Sequence, residues 1–237
     1  MSDALYRGFE DRFRGSIEEI REKQRGLVPI FAGASDVLDI GCGRGEFLAL
    51  LEEHRVGARG IDTDAGMIAA AHERGLDVIQ ADARAYVQAL PDASLGGVIA
   101  SQVIEHLEPA YLIELLPILF RKLRPAAPIV LETINPACWL AFFSSYVRDF
   151  THVWPVHPET LQYLLQASGF ARVEIRYTEQ APDAVRMRGV DPASLTGLDA
   201  ATARAVAALA GAYNANASIL NSLLFTYMDY AAIGFRS

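Results

Sequence analysis

Apolar residues along this chain fall into short unbroken runs separated by longer stretches of helical spacing. The runs Ala58–Asp62, 76–80, 95–101 and Pro128–Ile134 predict buried strands, and so does the segment from Val37 into a glycine-rich turn. The stretches 46–54, 64–74, 109–123 and 158–168 predict helices. Pro109 and Pro158 suit a first helical turn, while Gly75 and Gly169 suit C-terminal caps. Alternation of this kind means right-handed βαβ units, hence a parallel sheet with helices on both faces. Segments 170–178 and 225–235 are strand-like and follow the last regular unit. Between them runs an interruption, about 179–224, which starts as a polar, proline-bearing loop and turns helical from about Asp199. Val206, Leu209, Tyr213, Ala217 and Leu220 fall on one face of that helix, a surface on which a second copy of the chain could pack.

Before the glycine-rich turn, Phe13, Ile17, Ile20, Gln24, Leu27 and Phe31 lie close to helical spacing, with Glu18, Glu19, Arg21, Glu22 and Lys23 between them. This predicts an amphipathic helix within an N-terminal cap, 1–34, placed ahead of a main domain at 35–237. Segment 9–15, F-E-D-R-F-R-G, is denser in charge and aromatics than packing requires. It reads either as a solvated helix face or as a lid bringing Arg12 or Arg14 towards an anionic or hydroxylated substrate.

Composition narrows the class. A chain of 237 residues that is 51% hydrophobic can bury the core of one large α/β domain. Its net charge of −8 and the absence of a lysine or arginine cluster argue against a large nucleic-acid interface. The N-terminus shows no apolar signal-peptide core and no apolar stretch reaches spanning length, so neither a membrane span nor an address outside the cytoplasm is expected. Cys42 and Cys138 form no metal pattern.

The most informative segment is V-L-D-I-G-C-G-R-G, residues 37–45. Glycines at 41, 43 and 45 let the backbone turn sharply and approach a ligand closely, and the helix that follows offers N–H groups beside it. That is a nucleotide-type cofactor site at the end of the first strand. A dinucleotide and S-adenosylmethionine compete for it. The dinucleotide fingerprint is G-x-G-x-x-G/A, whereas the spacing here is G-x-G-x-G. Asp39, two residues before the first glycine, suits a cationic ligand with an ammonium and a sulfonium, and is poor beside a pyrophosphate. Asp62 ends the second strand where a carboxylate can take ribose hydroxyls, and Asp82 ends the third, where an adenine edge could be read.

With these motifs in this order, from about residue 35 to 178, the chain resembles the class I S-adenosylmethionine-dependent methyltransferases. The resemblance implies a Rossmann-like α/β fold, a seven-stranded mixed sheet of order 3-2-1-4-5-7-6 flanked by helices, with an antiparallel seventh strand. It implies that Asp39, Gly41, Gly43 and Gly45 surround the methionine part of the cofactor, that Asp62 holds the ribose, that Asp82 and Ala83 meet the adenine, and that Gln102 lies near the methionine part.

After the fourth strand comes Q-V-I-E-H, residues 102–106. This resembles the E-x-x-E-H element of metal-dependent O-methyltransferases, with Gln102 where the first acid stands. The resemblance implies a divalent ion such as Mg²⁺ at Glu105 and His106, with His152 of the later 149–152 segment as a further candidate ligand; the Gln102 amide oxygen can ligate Mg²⁺ but lowers the charge of the site. A second cluster, E-T-I-N-P at 132–136, ends the fifth strand. A third, 148–159, carries D-x-T-H and H-P-E-T, and with the F-E-D-R-F-R-G and D-Y-A-A-I-G segments it resembles a bacterial polysaccharide and O-antigen methyltransferase subgroup. His54 and His72 read as surface residues and His157, before a proline at a helix start, as a structural hydrogen-bonder. His152, following Asp149 and Thr151, is the best candidate for a base or a ligand.

An alcohol does not ionise unaided at neutral pH, so a hydroxyl acceptor calls for a base, a metal, or both. Glu105 with His106, and Asp149 with His152, supply either. The expected activity is methyl transfer from S-adenosylmethionine to a hydroxyl of a sugar or polysaccharide. The alternatives are a phenolic or quinone-like acceptor in a pocket lined by Phe142, Phe143, Tyr146 and Trp154, or a non-catalytic cofactor-binding partner subunit.

Overall fold

The short apolar runs assemble into one seven-stranded sheet of order β3-β2-β1-β4-β5-β7-β6. The structure, a computed structural model, describes residues 8, 9 and 12–237. Glu10 and Asp11 of the F-E-D-R-F-R-G segment, with residues 1–7, lie outside the described residues. The strands are β1 (Val37–Ile40), β2 (Ala58–Asp62), β3 (Val78–Gln80), β4 (Gly97–Ser101), β5 (Pro128–Ile134), β6 (Phe170–Gln180) and β7 (Tyr227–Arg236). The first five run parallel, and β7 is antiparallel to both β5 and β6. All seven residues of β5 are buried, as a central strand covered on both faces requires.

Alternate residues of a strand face opposite sides, so the sheet divides the core in two. Leu38 and Ile40 of β1 belong to the larger cluster with Val98, Leu116 and Leu161. Val37 belongs to the other, with Phe31, Phe47, Leu50 and Ile99. The helices are α1 (Ile17–Arg25), α2 (Glu46–Glu53), α3 (Ala65–Glu73), α4 (Ala83–Ala89), α5 (Pro109–Lys122), α6 (Trp139–Ala141, continuing as a π-helical turn Phe142–Tyr146), α7 (Pro158–Ala167) and α8 (Ala200–Leu224).

Four regions differ from the sequence expectation. The helical pattern of 13–31 breaks after Arg25, and a 3₁₀ turn, Val28–Phe31, follows with Pro29 near its start. Proline lacks the N–H that a continuing α-helix would need. The break divides the labour: Leu27, Val28 and Phe31 are buried in the core, whereas α1 buries none of its residues and starts from a Ser16–Glu19 capping box. Helices α4 and α6 are absent from the sequence expectation; α4 begins at once after Asp82, whose carboxylate accepts from the Ala85 N–H and caps it. On α8 the predicted apolar face stays open. Only Ala210 and Ala217 are buried, and Leu209 is 72% exposed. Among the described residues no helix is long and apolar enough to cross a membrane.

Candidate active site

The C-terminal ends of the parallel strands carry a cavity of about 780 Å³, within the roughly 300–1,000 Å³ usual for small-molecule sites. It sits over β1 and β4, where the strand order reverses direction, the place at which open α/β sheets bind ligands.

One half of the cavity is built by backbone. Gly41, Gly43 and Gly45 all have positive φ, at 67°, 53° and 78°. A Cβ on Gly41 would come within 2.4 Å of Val103 Cγ2, and one on Gly45 within 2.3 Å of Leu76 Cδ1, so both positions also lack room for a side chain. Asp62 is fixed by two N–H donors, Gly43 to Oδ2 at 2.9 Å and Asp64 to Oδ1 at 2.8 Å. Asp82 accepts from the Ala85 N–H and from the Tyr111 hydroxyl, each at 2.8 Å. Partial burial pushes the Asp82 carboxyl up, but the Ala85 N–H and the Tyr111 hydroxyl outweigh it and hold the group below its usual value. Asp62, Asp82, Ala83, Gln102, Gly41 and Gly43 all line the cavity. Gln102 does so from a left-handed backbone, φ 56°, which is costly for a residue with a side chain and marks a turn held by its surroundings.

Asp39 and Gly45 do not line it. Asp39 lies beneath the loop, 3% exposed, where burial and then the neighbouring Asp62 and Glu46 push its carboxyl well above the usual range. The parity of β1 accounts for this: Ile40 lines the cavity, and its neighbour in sequence must face the other way.

The other half is built by side chains from three separate segments. Glu105 and His106 sit on a 3₁₀ turn after β4. The 149–154 segment is tied to that turn by the Val153 and Trp154 N–H groups, which donate to the Glu105 carbonyl at 2.8 and 3.2 Å. Thr151 donates its hydroxyl hydrogen to Asp149 Oδ1 at 2.6 Å. Its oxygen lies 2.9 Å from His106 Nδ1, which must then be the donor, so His106 carries its lone pair on Nε2. His152 Nδ1 donates to the Tyr146 carbonyl at 2.8 Å, which puts the lone pair of that ring on Nε2 as well. Asp149 Oδ2 lies 3.8 Å from His152 Nε2, and the two imidazole centroids are 4.6 Å apart. Burial, then the proximity of His152, pushes His106 down to about 4, so it is neutral at neutral pH.

Glu105 is 1% exposed and neither of its carboxylate oxygens has a well-formed hydrogen bond among the described residues, the Thr133 hydroxyl giving some support. Burial pushes Glu105 up to about 7. Ligand atoms of Glu105, His106 and His152 all lie within 4.8 Å of one another. Farther along the same wall are Glu132, which accepts from the Ser101 hydroxyl at 2.5 Å, and Asp229. Both carboxyls are raised, chiefly by burial. Lys23 of α1 meets Glu179 at the rim. Glu132, Thr151 and Asp229 stood in recognised segments, but the part of Tyr111 and Lys23 in the wall depends on contacts between distant segments that no local pattern reveals. His157 caps α7 through a 3.3 Å contact from the Glu159 N–H, a structural task. Of the four aromatics expected to line an apolar pocket, Phe142, Phe143, Tyr146 and Trp154, none lies on the cavity wall.

Comparison with known proteins adds to this geometry. Residues 21–123 match the family described as methionine biosynthesis protein MetW. A segment of 87 residues is 42% identical to trans-aconitate 2-methyltransferase of Paracidovorax citrulli (strain AAC00-1), covering 35% of this chain and 32% of that protein, so the match spans about a third of that relative. The crystal structure of a SAM-dependent methyltransferase from Archaeoglobus fulgidus is 37% identical, with 97% of this chain and 99% of that one superposed at a TM-score of 0.85. Haemonchus contortus phosphoethanolamine N-methyltransferase 2, in complex with S-adenosyl-L-methionine, shares the fold at a TM-score of 0.61 and 15% identity, over 98% of this chain and 60% of that one.

Proposed function

We propose, for a chain that belongs to the S-adenosylmethionine-dependent methyltransferases, that the acceptor is a hydroxyl of a sugar or polysaccharide and that His152 takes its proton. S-adenosylmethionine supplies a methyl group on a cationic sulfur. What this chain has to add is orientation of the acceptor oxygen and a place for its proton. The carrying observation is the pair of imidazoles whose Nδ1–H groups are both committed, to Tyr146 O and to Thr151 Oγ1, so that both Nε2 atoms are acceptors. His152 receives the proton at Nε2, and Asp149, 3.8 Å away, stabilises the resulting imidazolium. Gly41, Gly43, Asp62, Asp82, Ala83 and Gln102 hold the cofactor at the other end.

The polarity of the wall favours a hydroxylated acceptor over a phenol. Glu105, Glu132, Asp149 and Asp229 line that half of the cavity, and among the described residues the phenyl and phenol side chains on the wall are Phe9, Phe13 and Tyr111. The same acids disfavour a carboxylate acceptor such as the one named for the Paracidovorax relative. Of the cations that line the cavity among the described residues, Lys23 is paired with Glu179, Arg148 lies over the Phe13 ring at 4.8 Å, and Arg14 is forked on Glu46 beside the glycine loop.

A divalent ion is the second reading, favoured by the two unpartnered oxygens of buried Glu105. Glu105, His106 and His152 would hold it, and it would supply Lewis acidity to the acceptor oxygen. Two imidazoles and one carboxylate suit a borderline first-row ion; Mg²⁺, which takes oxygen ligands, fits this set poorly. The two readings exclude each other at His152 Nε2, which cannot hold an ion and receive a proton together. Exhaustive chelation separates them: turnover persists if His152 is the base and disappears if the ion is required.

The acceptor itself is tested with methyl-labelled S-adenosylmethionine and a panel of sugars, sugar acids and amines. A base-stable O-methyl ether supports the proposal, and a base-labile methyl ester or an N-methyl product overturns it. The open leucines of α8 are the surface through which two copies would pair, which sedimentation of a Leu209→Glu variant checks.

A further inference from the structure

The amino-acid end of S-adenosylmethionine is a zwitterion, and the glycine loop as built here serves only half of it. Acids abound there: Asp62 is on the wall, with Asp39 and Glu46 behind the loop. Donors do not. The Gly41 and Cys42 N–H groups both go to the Ile61 carbonyl, at 2.8 and 3.1 Å. Gly43 N–H goes to Asp62 and Gly45 N–H to the Cys42 carbonyl at 2.9 Å. These four amides are therefore spent inside the protein, and a ligand carboxylate has to find its partner among other donors.

Arg14 meets that need. Its Nη2 lies 3.3 Å from the position a Gly43 Cβ would occupy, so the guanidinium packs directly on the loop, and it lines the cavity. Nη1 and Nη2 form a fork on Glu46, at 3.0 and 2.8 Å. Glu46 is 2% exposed and opens α2, so the guanidinium is held from beneath by a rigid partner. That fork uses two of the five N–H donors an arginine has. Among the described residues, the other cations on the wall are engaged elsewhere, Lys23 with Glu179 and Arg148 over Phe13.

We infer that Arg14 binds the carboxylate of the cofactor's methionine portion, with Glu46 as the residue that positions the guanidinium. The N-terminal segment then takes part in cofactor selection as well as in covering the cavity. Phe9 packs against Phe150 of the loop that leads to Thr151 and His152, ring centroids 5.2 Å apart. The inference rests on the cofactor alone, and a different acceptor would leave it standing.

The test compares S-adenosylhomocysteine with its decarboxylated analogue by calorimetry, two ligands that differ only in the group at issue. The intact protein is expected to prefer the carboxylate-bearing ligand by roughly ten- to hundredfold, the size of a charge-assisted hydrogen bond. Removing Arg14 alone would leave Glu46 buried without a partner, so the informative variant is Arg14→Met combined with Glu46→Gln. It should lose the preference while binding the decarboxylated analogue as before. Arg14→Lys, which keeps a cation beside Glu46 but not the fork, should retain part of the preference, and it decides the question if the double variant does not fold. Equal affinity of the intact protein for both ligands overturns the inference. So does a preference that survives the variants, or an equal loss of both ligands, which marks a merely structural role.

Discussion

The two halves of the cavity are made in different ways. The half we propose for the cofactor is held by backbone: positive-φ glycines, N–H groups on Asp62, and a helix that starts after Asp82. The half we propose for the acceptor is held by side chains from three segments that meet only in the folded protein: the 104–106 turn, the 149–154 loop, and the ends of β5 and β7. Backbone geometry tolerates few sequences and so serves a ligand that never changes. Side-chain geometry is adjustable, which suits the half that faces the variable acceptor. The cost of that adjustability is buried acids with incomplete partners, Glu105 above all.

The largest effect should come from the acceptor half. His152→Gln removes the Nε2 acceptor while keeping a polar side chain of similar reach, and turnover should fall by about 10²–10⁴-fold, the usual contribution of a general base. Calorimetric affinity for S-adenosylhomocysteine should stay within experimental error, because His152 lies outside the glycine loop. A loss of cofactor affinity equal to the loss of turnover would break the division into halves.

The cofactor half answers with a smaller, mainly structural effect. Gly41→Ala places a Cβ in a backbone of φ 67° and 2.4 Å from Val103 Cγ2. Gly75→Ala imposes a similar backbone, φ 78°, with nothing within 4 Å. Each should lose about 1–2 kcal/mol from the left-handed conformation. Gly41→Ala should lose more, because Val103 has to move, and it alone should weaken S-adenosylhomocysteine binding. Thermal unfolding checks the order, at roughly 2–4 °C per kcal/mol for a chain of this size. If the two variants melt together with equal affinity for the ligand, the loop is an ordinary tight turn.

What could be read in advance follows the same division. The sheet order, the glycine spacing and the acids at Asp62 and Asp82 were legible because each is a local rule: a turn needs glycine, and a buried strand needs a continuous apolar run. Glu105, His106, Asp149 and His152 were legible as residue types too costly to bury without a purpose. Their arrangement was not. That Thr151 relays Asp149 to His106, that the Tyr146 carbonyl fixes the tautomer of His152, and that Arg14 reaches Glu46 are contacts across 45, 6 and 32 residues of sequence. Periodicity carries no information about such pairings. The break of the N-terminal helix was nearer to hand, since Pro29 announces it.

Asp39 is where the local rule and the strand geometry part, and it offers the finest test of the comparison. An acid two residues before the loop suggests a charge aimed at the ligand, yet strand parity turns it away from the cavity into a buried position. Burial, then Asp62 and Glu46, raise its carboxyl well above the usual range. A raised acid binds its proton more tightly when folded, so its burden on stability is absent below its unfolded value, near 4, and grows as pH rises towards the folded value. Asp39→Asn removes that titration. The variant should therefore melt together with the parent at about pH 4 and above it at pH 8, by less than either glycine variant loses. Its affinity for S-adenosylhomocysteine should change little, since the side chain is off the wall. A gain in stability with affinity intact assigns Asp39 to the scaffold of the loop. A collapse in affinity shows instead that its negative charge reaches the ligand's ammonium from beneath the glycines, and the cofactor half would then depend on a side chain after all.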